Sequence, residues 1–195
     1  MSLQVPFFRP QLGEAEIAEV VDTLRSGWLT SGPKVTRFER EFGARVGAAH
    51  AVAVNSCTAA LHLAVEALGL RPRQAVLVPT MTFAATAEVV RYQGALPLLV
   101  DCDAQTLNLS LADAERQLAR LRAGRFAHAR HGGVEAVGVI PVHVGGQMLD
   151  VRALKRFAVA HDLWIVEDAA HAFPAAWRTG PAAAWQHLSS LAVDE

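Results

Sequence analysis

The stretch Leu163–Trp177, LWIVEDAAHAFPAAW, decides the reading of the fold. Its apolar run, Leu163 to Val166, stops abruptly at two adjacent carboxylates, Glu167 and Asp168, and small residues and His171 follow. A short apolar run bounded by charge reads as a buried strand. A carboxylate at the end of a buried strand needs a partner, because burying an unpaired charge is costly. Four similar runs precede it: AVAV at 51–54, AVLV at 75–78, LPLLV at 96–100 and AVGVI at 136–140. Helical patterns lie between most of them, at 57–68, about 82–93, 111–122 and 151–161. Gly69 and Gly94 stand where helix C-caps belong, Ser110 and Asp150 where N-caps belong. Strands alternating with helices predict an α/β fold, a mainly parallel sheet with helices on both faces. In such sheets ligands bind beyond the carboxyl ends of the strands.

Upstream, Ile17, Val20, Val21 and Leu24 recur at helical spacing, as do Val35, Phe38, Phe42 and Val46. The loop SGWLTSGP separates these two helices. Residues 1–49 therefore read as an N-terminal helical segment and 50–177 as the sheet domain. Residues 123–134 read as an exposed connector.

At 195 residues, 52% hydrophobic and 19% charged, the chain can bury a core and is not of disordered composition. A net charge of -1 leaves no basic footprint for nucleic acid or anionic lipid. Cys57 and Cys102 make neither a disulfide framework nor a CxxC zinc pair. No leader pattern and no membrane-length apolar run is present, so a cytoplasmic location is expected.

The polar residues that follow each run carry the candidate chemistry. After 51–54, Asn55, Ser56, Cys57 and Thr58 form a small polar corner at a helix start. Free N–H groups and the helix dipole suit such a corner to phosphate, although Asn and Ser are also ordinary caps. Phe83, at the next strand-to-helix corner, could stack on a flat ligand ring or pack on a neighbouring helix. Asp101 and Asp103 read as a solvated turn rather than a cation site. His143 could be a ligand, a general base or a satisfied core histidine. His128 and His131 lie in the connector without the further ligands a metal needs, so no metal site is expected. Asp168 caps a helix, meets an arginine, or meets a cationic cofactor nitrogen. A phosphate-binding helix start, an aromatic lid and an aspartate at three strand ends match pyridoxal 5'-phosphate, whose ring nitrogen needs an acidic partner.

These stretches resemble the DegT/DnrJ/EryC1/StrS aminotransferases, pyridoxal-phosphate enzymes acting on nucleotide-linked keto-sugars. The matching segments are SGWLTSGPKVTRFEREF, HAVAVNSCTAALHLAVEALG, VLVPTMTFAATAEVVRYQGALPLLVDCD, VIPVHVGGQMLD and IVEDAAHA. The resemblance implies the large domain of a fold type I aminotransferase, with active sites at a homodimer interface. It implies that Cys57 and Thr58 hold the cofactor phosphate, that Phe83 stacks on the ring, that Asp168 pairs with the ring nitrogen, and that His171 lies near the 3′-oxygen.

Members of the family continue to GD, FSFY and TK motifs, the last carrying the Schiff-base lysine. Here the sequence runs AAWRTGPAAAWQHLSSLAVDE, so residues 178–195 read as a tail out of register with the family. The only lysines are Lys34, at a variable position, and Lys155, on the helix after Asp150. No catalytic residue is therefore assigned. The domain at 50–177 is expected to be incomplete, through a frameshift near codon 177 or as a genuine short form, with apolar faces left uncovered. The function expected is the N-terminal cofactor-binding part of a sugar aminotransferase, in polysaccharide or secondary-metabolite sugar biosynthesis. The complete enzyme would take a nucleotide-sugar substrate and an amino donor, glutamate, and the short chain alone would be inactive. The alternative is a non-catalytic binding remnant that pairs with a full-length homologue. Dehydratase relatives carry histidine in place of the lysine, at a position this sequence lacks. A nicotinamide-binding domain is disfavoured because no GxGxxG follows any strand.

Overall fold

The computed structural model describes residue 6 and residues 9–126, 133–178 and 183–187. His128 and His131, and residues 179–182 and 188–195 of the tail, lie outside the described residues.

Two helices come first, α1 (Glu14–Ser26) and α2 (Pro33–Val46). Exposed ion pairs link them: Lys34 Nζ lies 2.5 Å from Glu19 Oε2 and 2.9 Å from Asp22 Oδ2. Solvent screens such pairs, and each is worth little. No residue of α1 is buried, and Ile17, Val20 and Leu24 are all more than half exposed. The apolar stripe legible in the sequence thus has no cover among the described residues.

The sheet domain follows as α3 (Cys57–Ala67), β1 (Gln74–Pro79), α4 (Ala85–Tyr92), β2 (Leu96–Val100), α5 (Leu111–Arg122), β3 (Glu135–Val139), α6 (Val151–His161) and β4 (Trp164–Ile165). The four strands are parallel in the order β2-β1-β3-β4. Alternate residues of β1 point to opposite faces, as the period of two requires. Leu77 packs with Leu98, Val100, Leu118, Leu154 and Phe157 under α5 and α6. Val76 and Val78 pack with Leu61, Val65, Val89, Val90 and Ile140 under α3 and α4. Both faces are covered, as expected. Ser110 and Asp150 cap α5 and α6 through their side chains. Gly69 and Gly94 follow their helices at φ 71° and 70°, where a Cβ would be strained.

The run 51–54 is a correction. It is not a strand but irregular chain outside the sheet, with Val52 78% exposed. A strand exists by pairing its backbone, and no sheet edge among the described residues reaches this segment. One of its donors, the Ala53 N–H, is met by the Glu39 carboxylate at 2.8 Å. A further feature not foreseen is a short antiparallel pair, β5 (Ala176–Trp177) with β6 (Gln186–His187). No helix among the described residues is long and apolar enough to cross a membrane.

Candidate functional site

The segments that follow β3 and β4, the N-terminus of α3 and the first turn of α4 meet at Asp168. The backbone of Asp168 is fixed first. Its N–H donates to the Pro141 carbonyl at 2.9 Å, and its own carbonyl accepts from His143 N–H at 3.3 Å. This parallel bridge prolongs the β3–β4 pairing beyond the strands themselves.

A side-chain pair reinforces the bridge. His143 is fully buried, and its Nε2 lies 2.6 Å from Glu167 Oε2. The Leu149 N–H donates to Nδ1 at 3.2 Å, so the ring proton sits on Nε2 and the Glu167 carboxylate accepts it. Of the roles left open for His143, the satisfied core histidine is the one observed. Its loop is clamped in turn by buried Asn108, which accepts from Val144 N–H at 3.0 Å and donates to the Gln147 carbonyl at 2.9 Å. Gly146, at φ 84°, allows this loop to approach the His171 carbonyl, which lies 3.0 Å from where a Cβ would sit.

The Asp168 carboxylate, 5% exposed, is held by neutral donors. Oδ2 accepts from the Thr86 hydroxyl at 2.8 Å. Oδ1 accepts from the Cys57 thiol at 3.5 Å and from Ala170 N–H at 3.3 Å. Thr86 is fully buried and its oxygen lies 2.7 Å from that of Thr82. No lysine or arginine among the described residues lies within ion-pairing distance of Asp168, so a buried carboxylate stands without a counter-charge. Burial first, then the Asp168 charge and hydrogen bond, push the Cys57 thiol up to about 11.

Of the other expected residues, Cys57 touches this carboxylate. Ser56 caps α3 by accepting from Ala59 N–H at 3.1 Å. The N–H groups of Cys57 and Thr58 precede the first intrahelical bond and point out of the helix end, the positive end of its dipole. Phe83 lies just before α4 and is 79% exposed, so it is not packed against a neighbouring helix. His171 follows Asp168 in a turn, and its side chain is exposed. Asp103 instead organises its own turn, accepting from the N–H groups of Gln105 and Thr106.

Sequence reading missed Thr82 and Thr86 and gave Glu167 no role. The signal for Thr86 was its place three residues after Phe83, in the first turn of the helix that follows β1, but nothing in spacing alone pairs it with a carboxylate 82 residues away.

The donor set fits pyridoxal phosphate. Unused N–H groups at a helix start suit a phosphate, an exposed ring suits a flat heterocycle, and an uncompensated buried carboxylate suits a protonated ring nitrogen. The model of the DegT/DnrJ/EryC1/StrS aminotransferase family matches residues 10–191. The chain belongs to that family. It is 45% identical over 169 residues to the spore coat polysaccharide biosynthesis protein SpsC of Bacillus subtilis, a match covering 86% of this chain and 40% of that protein. Among solved structures, a Streptococcus pneumoniae protein classed with the sugar aminotransferases matches in its PMP form with a TM-score of 0.77 and 31% identity. That match covers 92% of this chain and 46% of the other. A family aminotransferase from Brucella abortus matches with a TM-score of 0.70 and 34% identity, covering 79% and 39%. The chain therefore spans less than half the length of these relatives, and its four-stranded sheet corresponds to part of the aminotransferase fold.

Proposed function

We propose that this chain is the N-terminal, cofactor-binding part of a pyridoxal-phosphate aminotransferase acting on nucleotide-linked keto-sugars. The observation that carries the reading is Asp168: a buried carboxylate with no lysine or arginine within ion-pairing distance among the described residues, joined to the α3 N-terminus through Cys57. The B. subtilis relative, named for polysaccharide biosynthesis, and the PLP and PMP forms of the S. pneumoniae structure support it.

In this reading the Cys57 and Thr58 N–H groups and the Thr58 hydroxyl hold the phosphate. Phe83 covers one face of the ring and excludes water from it. Asp168 faces the ring nitrogen and keeps its proton in place, and His171 lies toward the 3′-oxygen. The bound cofactor supplies an electron sink for amino transfer. Moving the proton between substrate and cofactor carbons needs a basic group that neither Lys34 nor Lys155 provides. Lys34 is engaged with Glu19 and Asp22, and Lys155 stands on α6, not at a strand end. The proposal is thus that cofactor binding resides in this chain, while transfer from glutamate to the sugar belongs to a cytoplasmic, homodimeric complete enzyme.

The uncovered stripe of α1 favours a second reading, in which the chain pairs with a full-length homologue as a binding remnant. Equilibrium titration followed by an amino-transfer assay tests the first. The chain should bind pyridoxamine phosphate well and pyridoxamine, which lacks the phosphate, at least about tenfold more weakly. With glutamate and a keto-sugar nucleotide it should transfer nothing. Equal binding of the two amines would remove the phosphate site, and transfer that is lost in Asp168→Asn would refute the assignment of catalysis elsewhere.

A further inference from the structure

Resting on the cofactor reading above, we infer that Thr86 is a positioning residue for Asp168, fixing which carboxylate oxygen is offered to the ring nitrogen. The two oxygens of Asp168 are not equivalent. Oδ2 takes a short bond, 2.8 Å, from a hydroxyl that is itself fully buried. Oδ1 takes two long ones, 3.5 Å from the thiol of exposed Cys57 and 3.3 Å from Ala170 N–H. The strong, inaccessible contact therefore anchors Oδ2, and the oxygen with exchangeable partners on the open side is Oδ1.

The direction of the hydroxyl chain follows from chemistry. A carboxylate only accepts, so the Thr86 proton points to Asp168. The Thr86 oxygen is then free to accept, and the Thr82 hydroxyl donates to it across 2.7 Å. Each donor polarises the next. Thr86 lies in the first turn of α4 and is β-branched, so its χ1 has few alternatives. The backbone of Asp168 is held by Pro141 and His143 on the opposite side. With the backbone and one oxygen both fixed, the plane of the carboxylate is fixed as well. Without the Thr86 hydroxyl, Oδ2 would be a buried anionic oxygen lacking a donor, and only the two longer contacts at Oδ1 would hold the carboxylate. Its plane would then be free to turn, and Oδ1 would no longer be held toward the ring nitrogen.

The test separates this role from general support of the fold. Dissociation constants are measured for pyridoxamine phosphate and for its 1-deaza analogue, in which carbon replaces the ring nitrogen, on the full chain. The ratio of the two reads only the contact at the nitrogen. Thr86→Val, close in shape, should lower the wild-type preference for the nitrogen-bearing ligand about tenfold while changing affinity for the deaza analogue less than about twofold. Thr86→Ser should restore the ratio. If Thr86→Val does not fold, Thr82→Val reads the same chain one hydroxyl further out and should lower the ratio about threefold. A ratio unchanged in Thr86→Val, or in Thr82→Val where that variant must decide, overturns the inference alone. Equal weakening of both ligands makes Thr86 structural and overturns it too. A wild-type chain that binds neither ligand, or shows no preference, overturns the cofactor reading and this inference with it.

Discussion

The Cys57 thiol donates to Oδ1 of Asp168 at 3.5 Å across 111 residues of sequence, and this contact seats the α3 N-terminus on the end of β4. The contact also governs the thiol. Burial and the adjacent carboxylate raise its pKa to about 11, so it stays protonated near neutrality. Alkylation by iodoacetamide, followed residue by residue by mass spectrometry, should be slow at pH 8 and rise with a midpoint near pH 11. Asp168→Asn removes the charge and should move that midpoint down. A wild-type midpoint near that of an ordinary thiol would contradict the contact.

Asp113 ties α5 to the end of β2. Burial raises its pKa, but the Asp101 N–H at 2.8 Å, the Gln117 amide and the Arg116 guanidinium outweigh it, and the net direction is down. A depressed folded pKa gives stability that is present above the unfolded value, about 4, and lost as pH falls through the folded value. Urea midpoints at pH 7 and pH 3 should therefore fall further in wild type than in Asp113→Asn. Equal pH dependence in both would show that Asp113 is not coupled to folding.

Gly138 on β3 faces Trp164 on β4, and a Cβ there would lie 2.3 Å from the indole ring. Gly138→Ala should cost about 1–3 kcal/mol by overpacking. Replacing Trp164 with Leu in the same chain should recover part of that loss, because it removes the atoms in the way. Denaturant midpoints of the single and double variants read this directly, and additive losses would mean that the two side chains do not compete.

The apolar stripe of α1, with Ile17, Val20 and Leu24 all exposed, should make the purified chain self-associate. Val20→Lys together with Leu24→Glu should shift sedimentation toward monomer without changing the far-ultraviolet circular dichroism. An unchanged sedimentation profile would place the association surface elsewhere.

Local signals carried most of the sheet domain. The N-caps Ser110 and Asp150 and the apolar runs at β1, β2, β3 and β4 each state their structure within a few residues. The segment 51–54 is as apolar as those strands but lacks a neighbour to pair with, a nonlocal condition that no window of sequence contains. The site divides along the same line. Asp168 and Phe83 stood out as candidates because each follows a strand end, where ligands bind in such sheets, and the α3 start stood out by its polar corner although no strand precedes it. Thr86 was not, because its role arises from a hydrogen bond between elements 82 residues apart. The tautomer of His143 was hidden likewise, since the Leu149 N–H sets it.

The central claim is that the buried, uncompensated Asp168 meets a cationic cofactor nitrogen. Titration of the full chain with pyridoxamine phosphate, in wild type and Asp168→Asn, tests it most directly. Saturable binding that weakens about tenfold or more in the variant is the expected result, as for loss of a charge-assisted hydrogen bond. Binding of equal strength in both chains, or none in wild type, would contradict it.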